Sequence, residues 1–514
     1  MLRASALMLS CAALALTACG ESGSAGAGDP ASLVPASASL YVEAAVQPSG
    51  ELGEDALAAA GKIMRTQDPA AELRGLIDEE LAEAGDGLNW ERDFASWLGE
   101  DAGVWASDLQ ADEPSFAVIV ASKDGEAATD ALTRFEQTSD SKSTARSYDG
   151  LDYEVDDEGM AYGLIGDFVV LGTESAFKRT ADARDGAKLS DAERYEQAIG
   201  ELEEDRLGHY YFDAKPLLDA ALKQDPEAAR SFEQFKSLLP LDKLGPITGA
   251  FSADAAGMTL DTAVTGVPEG PLRDLWSGGA SELLGDLPGD SWAAFAMPKL
   301  GESAEALVGT FAGAIGSAAV AAQIEQATGL DLQQDVFSWI GDVGMFVRGT
   351  DMASLDGALV IGSTDDARAE AAFAKIVGLV GKQTGAAPRP AEVEGADAAF
   401  AIPAPGAQRP IVLARGEGRV VAAYGEAAAS AALAPDAKLA DGDAFGAAQE
   451  ILGDGIEPSL LLSVADVIGL TEAVGETDAE FEKARPYLET LGVITSGGRT
   501  EGDRVQSRVA VTLK

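Results

Sequence analysis

The sequence predicts an α+β protein of two homologous tandem halves, each a mainly antiparallel sheet with helices packed on it. Hydrophobic residues make up 46% of the 514 residues, enough for a folded core despite a formal net charge of −49. Segments of alternating polarity are joined by tight turns, which favours antiparallel pairing. Several motifs also recur in the same order at a spacing of about 240 residues, which indicates duplication of a domain-sized unit.

The N-terminus, residues 1–18, has the features of an export signal. Arg3 precedes the uncharged stretch Ala4–Leu16, which is too short to span a bilayer. The segment ends in Leu16-Thr17-Ala18-Cys19, which resembles the lipobox of bacterial lipoproteins. That resemblance implies cleavage before Cys19, acylation of its thiol, and a protein anchored in the cell membrane on its extracytoplasmic side. The alternative is an ordinary secretory signal that happens to end beside a cysteine.

Cleavage also changes the chemistry of the mature chain. Cys11 would leave with the signal and Cys19 would carry the lipid, so neither a disulfide nor a reactive thiol would remain. Residues 19–31 are rich in Gly, Ala and Ser and predict a flexible tether. The strongly negative charge argues against a nucleic-acid partner and against a basic face that docks on anionic lipid. The predicted membrane contact is therefore the lipidated N-terminus.

The two halves are predicted at residues 32–266 and 281–514, with a Pro- and Gly-containing linker at 267–280. Each half should contain an early strand, a second β-rich run, an amphipathic helix, a tight hairpin and a closing strand. In the first half these are strands at 39–46, 115–121 and 258–264, a helix through Ala128, Leu132 and Phe135, and a hairpin about Gly166-Asp167. In the second half they are a helix through Ala369, Phe373 and Ile376, a hairpin about Gly416-Glu417-Gly418, and a strand at 505–513.

The clearest repeated motif is Gly-Leu-Asn/Asp followed by Ser-Trp-Leu/Ile-Gly, at residues 87–99 and 329–341. Its physics predicts a capped helix packed on the sheet rather than a binding site. Asn89 and Asp331 should cap the helix N-termini. Trp97 and Trp339 should pack the helix ends against the sheet, and the glycines that follow, Gly99 and Gly341, should adopt the left-handed conformation.

One resemblance goes beyond these patterns. The order Leu33-Val34-Pro35-Ala36, Leu40-Tyr41-Val42-Glu43, Asp68-Pro69 and Trp97-Leu98-Gly99-Glu100 resembles an uncharacterised bacterial family, the domain of unknown function number 3352, common among exported actinobacterial proteins. The resemblance covers nearly all of the mature chain. The resemblance implies membership of this family. It implies no particular activity, because the shared motifs are structural. The second half departs from the first motif with Leu287-Pro288-Gly289-Asp290-Ser291-Trp292.

His209 is the only histidine, at the start of a predicted strand. We expect an edge or surface position, since the corresponding position of the second half is near Ser459. With one histidine and no thiol in the mature chain, Ser-His-Asp, Cys-His and histidine-based zinc sites are nearly excluded.

Carboxylate chemistry stays open because the chain has 86 acidic residues. The cluster Glu154, Asp156, Asp157 and Glu158 could hold a hard cation such as calcium, but it lacks the spacing of an EF-hand loop and predicts a turn. The prediction is therefore no catalytic, metal-ligating or cofactor-binding residue; Cys19 is the one predicted site.

The uncharged stretch Ala306–Ala322 has three interpretations. Its small, weakly apolar residues favour a helix packed in the core. The alternatives are a helix that lines a lipid-sized cavity and a membrane span, for which the stretch is short.

The favoured function is non-enzymatic binding or scaffolding in the bacterial cell envelope, with an envelope protein as partner. One alternative is a carrier of an apolar ligand or lipid, which predicts a continuous apolar cavity. Another is a carboxylate-based cell-wall hydrolase, which predicts two facing carboxylates and a raised pKa. A scaffold predicts an exposed apolar or aromatic patch.

Overall fold

The computed structural model describes residues 28–83, 89–109, 114–138, 142–203, 205–224, 243–270, 273, 277, 281–305, 325–326, 329–385, 387–404, 406–475 and 477–514. The predicted signal peptide, Cys19, the tether up to residue 27 and Ala306–Ala322 lie outside the described residues. Among the described residues, a first compact unit ends at Thr265 and a second begins at Gly266.

The described part of the first unit contains ten strands. They are β1 (Leu40–Ala45), β2 (Leu98–Ser107), β3 (Ser115–Ser122), β4 (Thr144–Tyr148), β5 (Leu151–Val155), β6 (Met160–Ile165), β7 (Phe168–Thr173), β8 (Gly208–Phe212), β9 (Ile247–Ala253) and β10 (Gly257–Val264). All neighbours are antiparallel, in the order β10-β9-β8-β1-β2-β3-β7-β6-β5-β4.

Helices cover both faces of this first sheet. They are α1 (Gly50–Met64), α2 (Pro69–Glu83), α3 (Trp90–Asp93), α4 (Gly125–Thr138), α5 (Glu174–Ala183), α6 (Glu193–Ile199) and α7 (Ala214–Gln224), with 3₁₀ turns at Pro30–Leu33 and Leu189–Asp191. On one face, α5 and α6 bury a core around Tyr41, Trp105 and Phe177. On the other, α2, α3 and α4 pack around Trp90 and Trp97. Alternate residues of the strands serve the two cores, as the pleat of a sheet requires.

The described part of the second unit also has ten strands. They are β11 (Ser291–Met297), β12 (Ile340–Arg348), β13 (Asp356–Ser363), β14 (Arg389–Pro390), β15 (Ala398–Ile402), β16 (Ile411–Gly416), β17 (Arg419–Tyr424), β18 (Glu457–Ser463), β19 (Leu491–Glu501) and β20 (Arg504–Leu513). Their antiparallel order is β20-β19-β18-β11-β12-β13-β17-β16-β15-β14. Each strand thus holds the place of the strand with the same rank in the first unit.

The helices of the second unit are α8 (Glu282–Gly285), α9 (Asp366–Thr384), α10 (Glu426–Leu433), α11 (Asp443–Leu452), α12 (Val464–Val474) and α13 (Ala479–Leu488), with a π turn at Leu332–Phe337 and a 3₁₀ turn at Leu439–Asp441. A core around Leu284 and Phe346 lies beneath α10 and α11. A second core around Trp339 and Phe373 lies beneath α9. Mixed helices and antiparallel strands confirm the predicted α+β class.

The predicted strands and hairpins, and the helices through Ala128 and Ala369, are present within one or two residues of their predicted positions. The hairpin β6–β7 turns at Gly166-Asp167, and β16–β17 turns at Glu417-Gly418, where both residues have positive φ. Positive φ is the geometry that two-residue hairpin turns of type I′ require.

The caps of the repeated motif are confirmed, but its predicted glycine conformation is wrong. The side chain of Asn89 accepts from the N–H of Arg92, and that of Asp331 accepts from the N–H groups of Gln333 and Gln334. Gly99 and Gly341 instead lie inside β2 and β12 and have no positive φ. At residue 341, a Cβ would lie 3.2 Å from the carbonyl oxygen of Gly362, so close strand approach accounts for that glycine.

Two boundary residues belong to the folded units. Ala31, assigned from sequence to the end of the tether, is buried in the 3₁₀ turn capped by Asp29. Val267, the first residue of the predicted linker, is buried and donates its main-chain N–H to the carbonyl of Asp503 at 2.9 Å.

Candidate functional sites

The first candidate site is a buried polar cluster between β1, β8 and α6. Glu43 of β1 lies opposite His209 of β8, and Tyr41 lies opposite Tyr211. Strand residues two apart share a face, so all four side chains point to the α5–α6 side of the sheet. Tyr195 of α6 packs over these side chains, and its hydroxyl oxygen lies 2.9 Å from Nε2 of His209.

The hydrogen bonds form two pairs. The hydroxyl of Tyr41 donates to Oε2 of Glu43. The hydroxyl of Tyr195 donates to His209 when Nδ1 carries the imidazole proton. His209 Nδ1 and Glu43 Oε1 are 3.9 Å apart, too far for a hydrogen bond. The side chain of His209 is 4% exposed and that of Glu43 is 20% exposed, so the cluster reaches solvent at its carboxyl end.

Burial holds this cluster electrically neutral near pH 7. Burial raises the pKa of Glu43 to about 8, and the charges of Asp29 and Asp101 add to that rise. Burial, helped by the positive charge of Arg206, lowers the pKa of His209 to about 3. A neutral carboxyl beside a neutral imidazole avoids the large cost of a charge in a low-dielectric interior.

A second carboxyl lies close to Glu43. Asp101 of β2 pairs with Ala45, and Glu43 pairs with Gly103, so the two acids are diagonal neighbours on one face. Burial, with the charges of Glu100 and Asp29, raises the pKa of Asp101 to about 6. The sheet therefore brings together two carboxyls with raised pKa values, which sequence inspection did not single out.

Gly103 makes room for this cluster. A Cβ at residue 103 would lie 2.8 Å from both the hydroxyl oxygen and Cε2 of Tyr41. The missing side chain leaves room for the Tyr41 ring beside residue 103, from where its hydroxyl donates to Glu43.

The second unit replaces the cluster with small and apolar side chains. In the first unit, Tyr41 pairs with Trp105 and Glu43 pairs with Gly103. At the corresponding positions of the second unit, Ala294 pairs with Phe346 and Ala296 pairs with Gly344. Leu461 lies opposite Ala294, where the first unit has Tyr211 opposite Tyr41. Ser459, two residues before Leu461, holds the place of His209, as the sequence predicts.

The predicted edge or surface position of His209 is wrong. Its strand, β8, has neighbours on both sides, β1 and β9, and its side chain is buried. The sequence held one signal for this: Tyr-x-Glu in one strand and His-x-Tyr in another place polar groups at the alternate positions that normally face a core.

The acidic cluster 154–158 forms the predicted turn. Oδ1 of Asp156 accepts from the N–H groups of Glu158 and Met160 at 2.9 and 2.8 Å, which caps the β5–β6 turn. Within the part of the chain that the structure describes, no three His, Cys, Asp or Glu side chains are arranged to hold a metal ion.

The second candidate site is an open groove of about 650 Å³ between α4 and the strands β4, β5 and β6. Leu132, Tyr162 and Leu164 supply apolar surface. The carboxylates of Glu136, Asp152 and Glu154 line the same groove. Its surface is therefore mixed rather than continuously apolar.

The third candidate site is a row of apolar side chains across the second sheet, here called the apolar row. It runs over the neighbouring strands β18, β11, β12 and β13, on the face opposite the core beneath α10 and α11, and consists of Leu460, Phe295, Met345 and Leu359. On the same face, Ser496 of β19 separates this row from Val509 of β20. Val509, Met345 and Leu359 are 45%, 50% and 41% exposed. Phe295 and Leu460 are partly exposed.

No helix within the described ranges combines the length and hydropathy of a membrane span. The segment Ala306–Ala322 is not among the residues to which this finding applies.

Solved structures to which this chain is similar include three crystal forms of TP0453. Crystal form IV is 12% identical with a TM-score of 0.25, and the match covers 46% of this chain and 80% of that chain. Crystal form III is 12% identical with a TM-score of 0.26, and covers 49% and 86%. Likeness at this level carries no argument about this chain.

Comparison with curated proteins gives no match. A family model described as "Protein of unknown function (DUF3352)" matches residues 3–450. Because the match spans most of the sequence, the chain belongs to the DUF3352 family of proteins of unknown function.

Proposed function

We propose that the chain is a lipid-anchored, extracytoplasmic and non-enzymatic binding or scaffolding protein of the bacterial cell envelope. The apolar row carries this proposal. Four apolar side chains on four neighbouring strands form a contiguous surface. Two of them, Met345 and Leu359, are at least 41% exposed. A contiguous apolar patch on an otherwise acidic body is typical of a protein–protein contact.

The lipobox-like Cys19 and the export signal support the location. A lipid on Cys19 would hold the body at the outer side of the cell membrane, and residues after it would act as the tether. The matching strand order of the two units supports a duplication. After duplication, the two sheets diverged at the cluster positions, where one unit has Glu43 and His209 and the other has Ala296 and Ser459.

Site-specific photocrosslinking of the full chain in the intact envelope tests the proposal. A photoreactive amino acid at Met345 or Leu359 should give a discrete adduct with an envelope protein. The same amino acid at Glu417, an exposed hairpin residue of the same unit, should not. Met345→Lys should abolish the adduct formed from position 359. Equal adducts at all three positions, or none from the apolar row, would overturn the proposal.

One observation favours a second function, carboxylate-based hydrolysis. Glu43 and Asp101 are neighbouring carboxyls with raised pKa values, and a glycosidase needs one carboxylic acid and one carboxylate near the same bond. Release of soluble fragments from purified cell wall, lost in both Glu43→Gln and Asp101→Asn, would support hydrolysis. Absence of release would leave the scaffold proposal standing.

The carrier alternative depends on Ala306–Ala322, outside the described residues. Native mass spectrometry of the full chain in detergent tests it, because a carrier retains a lipid beyond the anchor that is lost on denaturation.

A further inference from the structure

We infer that the outer edge of β4, which within the described residues pairs only with β5, together with the groove beside α4, binds an extended cationic peptide segment by strand addition. The site lies in the first unit and shares no residue with the apolar row. Its test is therefore independent of the proposed contact of the second unit.

The hairpin β4–β5 determines which main-chain groups of β4 face outward. Asp149 and Gly150 form its two-residue turn with φ of 49° and 78°. In such a turn the flanking pair, Tyr148 and Leu151, is hydrogen-bonded, and bonded pairs then alternate along the strands. The main-chain groups of Arg146 consequently point to β5, and those of Ala145 and Ser147 point to the open side.

The side chains of β4 divide between the two faces. Arg146 pairs with Glu174 of α5, and the hydroxyl of Tyr148 donates to Asp182 of α5 at 3.0 Å. Ala145 and Ser147 alternate with them and line the groove on the opposite face. A strand added beside β4 would thus place every second side chain over the groove.

The corresponding edge of the second unit is protected in a way that β4 is not. Strand β14 has only two residues, Arg389 and Pro390, and the proline has no N–H to offer. Strand β4 has five residues and no proline, and four of the five are exposed. Edge strands without such protection are templates for pairing with another chain.

The charge of the groove selects the occupant. Glu136, Asp152 and Glu154 line it, whereas the guanidinium of Arg146, the basic residue among its described lining, pairs with Glu174. Lys or Arg side chains of an added strand would meet these carboxylates. A second copy of this chain is a poor occupant, because two bodies that each carry a net charge of −49 repel one another.

The binding test uses the full chain and a fluorescent eight-residue peptide of alternating Lys and Val, measured by anisotropy at low and at physiological salt. We expect saturable binding that weakens with salt. The same peptide with methyl groups on the N–H groups that would face β4 should bind about tenfold more weakly, since it loses main-chain hydrogen bonds to β4. A peptide of alternating Glu and Val should not bind.

Variants locate the contact. Ser147→Pro removes one outward N–H from β4 and should weaken binding about tenfold. The triple variant Glu136→Gln/Asp152→Asn/Glu154→Gln should weaken binding and reduce its salt dependence. Glu392→Gln/Glu394→Gln, which removes two charges beside β14, is the matched control and should bind normally. Far-UV circular dichroism checks that each variant folds.

Hydrogen exchange gives a readout that needs no variant. Bound peptide should slow exchange of the Ala145 and Ser147 amides. Equal binding of the methylated peptide, unchanged exchange at these two amides, or no binding at all would overturn the inference. A peptide-free dimer joined through β4 would also overturn it, since the occupant would then be a second copy.

Discussion

Nε1 of Trp339 donates a hydrogen bond to the main-chain carbonyl oxygen of Asp335 at 2.9 Å. Trp97 makes the same bond to Asp93 at 2.6 Å. The two aspartate carboxylates then accept from the N–H groups of Asp331 and Asn89, four residues earlier. The repeated motif therefore forms the same hydrogen-bonded arrangement in both units, and this arrangement connects a short helical turn to the strand that follows it.

We expect Trp339→Phe to lower the free energy of unfolding of the second unit by about 2–3 kcal/mol, because it leaves a buried carbonyl unpaired and a small cavity. Urea denaturation measures the loss. Trp292→Phe is the matched control: Trp292 also donates to a carbonyl, that of Gly349, but is only half-buried. Equal losses in the two variants would show that the buried bond is not what stabilises the motif.

The cluster around Glu43 predicts a pH dependence. The carboxyl of Glu43 titrates near 4.5 when unfolded and near 8 when folded, so its stabilising contribution is complete below pH 4.5 and is lost as the pH rises through 8. His209 has the opposite sign: its contribution is complete above pH 6.5 and is lost as the pH falls towards 3. Asp101 has the same sign as Glu43: its stabilising contribution is complete below pH 3.8 and is lost as the pH rises through about 6.

Between pH 6.5 and 8, Glu43 is therefore the member of this cluster that changes stability. We expect the free energy of opening of β1 and β8 to fall by about 1–2 kcal/mol across this window. Native-state hydrogen exchange of their amides measures it. Glu43→Gln should flatten the dependence, and Glu100→Gln, an exposed neighbour, should not. A dependence that persists in Glu43→Gln would contradict the assignment.

Gly103 should be sensitive to the smallest added side chain. Gly103→Ala places a methyl group against the Tyr41 ring, and we expect a loss of about 1–3 kcal/mol in the thermal or urea stability of the first unit. Gly378→Ala in α9, where a Cβ would have open space, should be neutral or stabilising by up to about 1 kcal/mol. A neutral Gly103→Ala would mean that Tyr41 moves at little cost.

Lipidation of Cys19 should determine whether the protein is found in the membrane fraction. We expect Cys19→Ser to abolish labelling with palmitate and to shift the chain from the membrane to the aqueous extracytoplasmic fraction, because one thiol carries the anchor. Labelling and fractionation in an exporting host measure both effects. Wild-type chain in the aqueous fraction without label would show an ordinary secretory signal.

Local patterns predicted much of the fold. Segments of alternating polarity predicted β1, β3, β10 and β20, and turns that contain glycine and an acidic residue predicted the hairpins. These signals depend on neighbouring residues alone. The N-caps Asn89 and Asp331 were readable for the same reason. Gly99 and Gly341 were misassigned because a glycine after a helix signals a cap, whereas these two lie inside strands.

The sequence by itself determined the α+β class and the order of the elements, since composition and short-range periodicity suffice for these. Only the tertiary structure decided that Glu43, Asp101, His209 and Tyr195 meet, because strand order joins β1 to β8 across more than 160 residues of chain. It also decided which of the described strands lies at the edge of its sheet. Register and burial arise from pairing between distant segments, and no local pattern encodes them.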